Sequence, residues 1–204
     1  MSSQKAAADP TDDDALWRKT TRAALLAARA AMPDQARAQA EARIAAHLDA
    51  LLPALLAGVQ GRVLAGYWPI RAEPDLRDWM HRAAAAFGLE LALPVVAAPD
   101  QPLIFRPYRA GDPMIAGRWN IAEPAGEAVV TPDIILAPVV GFDGHGYRMG
   151  YGGGFYDRTL EAMSPPPQTI GVGFESARLE TIHPQPHDLR LDVIVTERGL
   201  HHSR

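Results

Sequence analysis

The chain has no cysteine. Disulfide staples and thiolate metal sites are therefore excluded, and the absence suits a cytoplasmic setting. It also lacks an excess of positive charge: 20 Lys and Arg face 24 Asp and Glu, for a formal net charge of −4. Broad nucleic-acid binding needs the opposite balance, because cations must displace the counterions of a phosphate backbone. Any anionic ligand must then be held by local positive charge. No apolar run is long enough to span a membrane; Ala45–Val59, among the longest, is broken by His47, Asp49 and Pro53. Met1–Pro10 carries one Lys and no apolar core, so a secretory leader is not expected. A cytoplasmic monomer with no nucleic-acid or membrane partner is the expectation.

What is present fits one domain of 204 residues, with 18 prolines and 17 glycines punctuating short elements. Residues 1–14 read as a disordered lead, 15–199 as a single α/β domain, and 200–204 as a frayed tail. A helix is predicted from Ala15 to about Ala31, capped by Asp13 or Asp14 and stopped by Met32-Pro33. A second opens at Asp34 with Ile44, Leu48, Leu51 and Leu52 at helical spacing; Pro53 interrupts it and Gly58 ends the apolar run. A third runs from Pro74-Asp75 to Phe87, with Gly88 in the C-terminal cap position. Strands are predicted at Arg62–Trp68, Leu89–Leu93 (ended by Pro94), Leu103–Tyr108 as an edge, Ile134–Ala137, Thr169–Phe174 and Val193–Thr196. A short helix is expected over Phe155–Met163. Alternating strands and helices imply an α/β fold, a three-layer α/β/α domain with a mostly parallel central sheet. Ligands in such sheets collect at the carboxyl edge.

The strand at 134–137 points into Gly141-Phe-Asp-Gly-His-Gly-Tyr-Arg-Met-Gly-Tyr-Gly-Gly-Gly-Phe-Tyr-Asp-Arg158. Glycines this dense fit neither a strand nor a helix interior, but they let backbone N–H groups close around a ligand. Arg148, Tyr151, Tyr156, Asp157 and Arg158 interleave with them, unlike a plain flexible linker. Backbone donors, cations and a carboxylate together suit a nucleotide phosphate chain with magnesium. The run is neither a Walker A motif nor a dinucleotide fingerprint.

The loop resembles the signature of the 5-formyltetrahydrofolate cyclo-ligase family. Pro138, Phe142-Asp143 and Gly146-Tyr-Arg148-Met149-Gly150-Tyr151-Gly152-Gly153-Gly154-Phe155-Tyr156-Asp157-Arg158 carry the likeness, with Met149 and Phe155 replacing Leu and Tyr of the family pattern. Further landmarks follow in family order: Arg22 on an early basic helix, Tyr67-Trp68-Pro69 with Glu73, Leu93-Pro94-Val95, Phe105, Ile121-x-Glu123-Pro124, Pro186-His187-Asp188 and Ile194-Val195-Thr196-Glu197.

The resemblance implies ATP- and Mg²⁺-dependent conversion of 5-formyltetrahydrofolate to 5,10-methenyltetrahydrofolate. It implies nucleotide contacts from Arg18, Lys19, Arg22 and residues 148–156 (Arg148, Met149, Gly150, Tyr151, Gly152, Gly153, Gly154, Phe155, Tyr156), with Arg148 and Tyr156 nearest the chemistry. It implies folate contacts from Trp68, Glu73 and Tyr151, and metal ligation by Asp157 and Asp188, with Asp143 in reserve. Arg18 stands where the family has Lys, and Ala177 where it has Gln. Residue by residue, plainer readings stand beside these: a solvated basic face for Arg18, Arg22 and Arg29, a core aromatic for Trp68, a helix-dipole partner for Asp157, and a turn cap for Asp188. His183 and His187 are separated by Pro184 and Pro186, so they form no zinc helix. A sugar-phosphate isomerase or CoA-transferase-like enzyme, and a non-catalytic binder of folate, nucleotide or RNA, are the alternatives; ATP dependence of turnover separates them.

Overall fold

A computed structural model describes residues 12–57 and 61–202. The lead at 1–11, the helix stop at Gly58 and the tip of the tail at 203–204 lie outside them. Among the described residues, four α-helices accompany a seven-stranded sheet: α1 (Asp12–Ala30), α2 (Asp34–Ala57), α3 (Arg77–Phe87) and α4 (Phe155–Ala162). The long strands are β1 (Val63–Ala65), β2 (Glu90–Val95), β3 (Ile104–Tyr108), β6 (Ile134–Pro138), β9 (Gln168–Val172), β10 (Val193–Thr196) and β11 (Gly199–His202). Two small antiparallel pairs complete the set: β4 (Met114–Ala116) with β5 (Ala122–Pro124), and β7 (Gly141–Phe142) with β8 (Arg148–Met149).

The sheet order is β11-β10-β9-β6-β1-β2-β3, parallel from β10 to β2 and antiparallel at both edges. Alternation along each strand divides the core into two faces. Leu64, Leu91, Leu93, Ile134, Leu136, Ile170, Val172, Val193 and Val195 meet Ile44, Leu48 and Leu52 of α2 and Trp79, Met80 and Ala83 of α3. Their neighbours Ala65, Ala92, Ile135, Ala137 and Ile194 face the other way, toward Phe155, Tyr156 and Leu160 of α4. The three-layer expectation is met for this reason: both faces of the parallel strands are apolar and need a helical cover.

Several expected boundaries are corrected. Asp12–Asp14 are helical, so the disordered lead does not extend through 14. His183 Nδ1 lies 3.0 Å from an oxygen of Asp14, which ties the first turn down. Residues 199–202 are β11, paired in register with β10, so the tail is an edge strand up to His202. Pro53 does not break α2; burial of Leu48 and Leu52 continues into Leu55 and Leu56 beyond it, offsetting the backbone hydrogen bond proline removes. Pro94 does not end β2 either, since it follows the last residue that pairs with β1, where no neighbouring strand needs its missing N–H. Gly88 caps α3 at φ 66, as predicted.

Helix α1 stands apart from both layers. It lies over the loops at the carboxyl edge: Leu25 abuts Gly141, and its arginines reach the 70–73 turn, the glycine loop and the 183–188 segment.

Candidate functional site

The glycine loop begins where β6 leaves the sheet. Val139 and Val140 lead into the β7–β8 hairpin, whose turn is organised by Asp143. That carboxylate is buried and accepts the N–H of His145 at 2.9 Å, Tyr147 at 3.2 Å and Ile182 at 3.3 Å. Both oxygens are tied to the backbone, so Asp143 holds the turn to the 182 segment. Asp143→Ala should cost about 2 kcal/mol of stability, since three backbone donors, the Ile182 N–H buried among them, lose a charged acceptor. An unchanged urea midpoint would contradict that.

The hairpin feeds Gly150–Gly154 into α4. Gly154 (φ 62) precedes the helix in the left-handed region, where a Cβ would lie 2.8 Å from a nitrogen of Arg158. This geometry turns the chain abruptly and leaves the first N–H groups of α4 free of helical partners. Met149 is fully buried, so its side chain belongs to the core and only its backbone borders the loop.

Two arginine–aspartate pairs flank the turn. Arg148, with its side chain 4% exposed, lies 3.0 Å from Asp157 Oδ1 and donates to the carbonyl of Leu189 at 2.9 Å. The N–H of Leu189 donates to the same Asp157 oxygen at 3.0 Å, which brings the 185–191 segment and Asp188 against the loop. Arg18 grips Asp188 through both terminal nitrogens, at 2.5 and 3.2 Å, and also donates to the carbonyl of His183. Arg22 donates to the carbonyl of Gly150 at 2.7 Å and passes beside Gly152. Burial, then repulsion from Arg18, lowers its pKa from the usual arginine range. Lys19 is exposed, turned about 100° around α1 from Arg18.

The folate expectations separate in space. Glu73 is buried beside the loop: Tyr151 donates its hydroxyl to Oε1 at 2.7 Å, and the Ile70 N–H meets Oε2 at 2.9 Å. Burial raises its pKa above the ordinary carboxylate range, against the pull of those bonds and of Arg29 and Arg71. Tyr151 and Tyr156 are both pushed up, chiefly by burial and then by the Glu73 charge, so both phenols stay neutral near pH 7. Trp68 instead sits under the Arg77 guanidinium (4.7 Å) and edge-on to Tyr108, lining a cavity of about 390 Å³ with His81, Glu41, Asp75 and Asp78.

The sequence reading places Arg29 on a solvated basic face and gives Trp119 no role; the structure corrects the first and adds the second. Arg29 is buried and bonded to the hydroxyl of Tyr151. Trp119, at the tip of the β4–β5 arm, is 64% exposed and meets Phe155 edge-on at 5.6 Å. Trp119 and Asn120 have φ of 54 and 60, a left-handed pair without glycine.

A parallel sheet with a glycine loop at its carboxyl edge, ringed by arginines and carboxylates, defines an α/β enzyme fold. The model of the 5-formyltetrahydrofolate cyclo-ligase family matches residues 14–197, and the chain belongs to that family. It is 32% identical over 151 residues to the 5-formyltetrahydrofolate cyclo-ligase of Mycolicibacterium smegmatis, covering 70% of this chain and 77% of that one. The Escherichia coli K12 cyclo-ligase is 33% identical over 100 residues, 46% of this chain and 55% of its own. The solution structure of Aquifex aeolicus 5,10-methenyltetrahydrofolate synthetase superposes with a TM-score of 0.78 at 26% identity, over 92% of this chain and 93% of that one.

Proposed function

We propose that the chain converts 5-formyltetrahydrofolate to 5,10-methenyltetrahydrofolate at the expense of ATP. Family membership supports the reaction, and one observation supports ATP: the glycine turn into α4 lies within reach of Arg18, Arg22 and Arg148. A formyl amide has a weakly electrophilic carbon and a poor leaving oxygen. Attack of that oxygen on the γ-phosphorus expels ADP and leaves an iminophosphate. N10 then closes the ring on the activated carbon and gives up its proton, and phosphate departs with the oxygen.

No side-chain nucleophile is needed, so the protein's work is alignment and charge neutralisation. Arg148 and the loop N–H groups would hold the phosphates, with Arg22 and Arg18 closing from α1. Glu73 would accept pterin N–H groups, and Trp119, exposed beside Phe155, would cover the flat ring. Among the described residues no group of three or more His, Asp or Glu side chains could hold a metal ion. This donor set fits magnesium, which takes one or two carboxylates and leaves its other positions to phosphate and water. Asp157 and Asp188 would hold it, and when bound it would neutralise charge on the phosphate oxygens.

Both carboxylates are paired with phosphate-binding arginines in this form. Phosphates that draw Arg148 and Arg18 away would free Asp157 and Asp188 for the cation, so ATP and Mg²⁺ should bind cooperatively. Calorimetry should give about a tenfold tighter ATP Kd with Mg²⁺ than without. Asp157→Asn should shrink that enhancement while leaving metal-free ATP binding at least as tight as in wild type, because Arg148 is released. An undiminished enhancement in the variant would remove Asp157 as a ligand. The reading as a whole is tested by following methenyl absorbance with 5-formyltetrahydrofolate and Mg-ATP; turnover that does not need ATP would overturn it.

A further inference from the structure

Arg29 enters no step above, yet it is one of the most enclosed charges in the protein, 7% exposed. It joins three segments that meet at the carboxyl edge. Its Nε donates to the carbonyl of Arg71 at 3.0 Å, one terminal nitrogen approaches the carbonyl of Val139 at 3.4 Å, and the other donates to the hydroxyl of Tyr151. Tyr151 passes its own proton on to Glu73 Oε1 at 2.7 Å. The order of this chain is fixed by chemistry. A guanidinium only donates, so it occupies an acceptor position on the phenol oxygen and the phenol proton must point at Glu73.

We propose that Arg29 is a positioning residue for the folate subsite: through Tyr151 it fixes the orientation of Glu73 and keeps it an acceptor for pterin N–H groups. The inference rests on the reading of Glu73 as a folate contact. The Glu73 carboxylate has one oxygen bonded to Tyr151 and the other to the Ile70 N–H, which leaves a lone pair on each for substrate donors. A protonated Glu73 would spend one of those positions on its own proton and turn a donor toward another donor.

The charged and titratable groups around Glu73 are Arg29 from α1, Arg71 from its own turn, Tyr151 from the glycine loop, Tyr67 after β1 and Tyr156 from α4. Burial drives Glu73 toward the neutral acid, while Tyr151, Arg29 and Arg71 oppose it. With the pKa already raised, loss of the Arg29–Tyr151 chain raises it further. The sign follows: a variant's folate affinity falls as pH drops and recovers as pH rises, because only the ionised form accepts both donors.

The test compares wild type, Arg29→Met, Arg29→Lys, Tyr151→Phe and Glu73→Gln in steady-state assays between about pH 6 and 8.5. For Arg29→Met and Tyr151→Phe, KM for 5-formyltetrahydrofolate should rise about tenfold near pH 6.5 and less than about threefold near pH 8.5, with KM for ATP within about twofold. Arg29→Lys should restore part of the effect. Glu73→Gln should raise KM for the folate without this pH dependence. An Arg29→Met or Tyr151→Phe enzyme with unchanged folate KM, or with a loss equal at all pH values and shared by ATP, overturns the proposal. Tyr151→Phe keeps the ring and its packing, so it decides the matter if Arg29→Met does not fold. An unchanged folate KM in Glu73→Gln would instead overturn the reading of Glu73 beneath it.

Discussion

Arg148→Ala is expected to lower kcat/KM by about a thousandfold, on the order of 4 kcal/mol, the scale of losing a principal charge on a transferring phosphoryl group. Arg148 is nearly buried, and it joins the Asp157 carboxylate to the Leu189 carbonyl. Its removal would therefore act twice: the proposed phosphate site would lose a cation, and Asp157 would keep a charge whose ion-pair partner is gone. Arg148→Lys separates the two effects. It retains a cation but cannot fork between two acceptors, so it should keep the melting temperature close to wild type while losing about ten- to a hundredfold in kcat/KM. Turnover by a folded alanine variant within about threefold of wild type would take Arg148 out of the site.

Gly154→Val should be nearly as damaging, by about a hundredfold, and for a geometric reason. The backbone at 154 has φ 62, and a Cβ there would press on Arg158, so a β-branched side chain must move the turn that aims the first amides of α4. Gly88, which caps α3 at φ 66 with open space around its Cβ position, is the matched control. Gly88→Val meets the same kind of backbone strain and should lower stability comparably while leaving kcat/KM near wild type. Equal activity losses in the two variants would show that the effect comes from stability alone.

These predictions rest on features of unequal visibility. The glycine run could be seen because its composition has no place in a regular element, and the strand before it because Ile134–Leu136 is continuously apolar, as a strand buried on both faces must be. The edge position of β3 was readable from Pro107. Other features misled. Pro53 looked like a stop because local propensity argues for one, but tertiary burial of Leu52, Leu55 and Leu56 outweighs a single missing hydrogen bond. Asp143 stood in reserve as a metal ligand, and nothing local announces that Ile182, 39 residues later, would lend it an N–H. Trp68 and Glu73 lie five residues apart, yet one faces α3 and the other turns into the loop.

The sequence by itself determined the α/β class, the position of the glycine loop and the family, because each is written in local composition and in the order of short motifs. Only the tertiary structure decided which charges meet: Arg18 with Asp188, Arg148 with Asp157, and Arg29 with Tyr151 and Glu73. Those partners are separated by up to 170 residues and come together because parallel strands deliver their loops to one edge, where α1 closes over them. Spacing along the chain carries no record of such meetings, since they depend on strand order, and strand order is fixed by how the whole core packs.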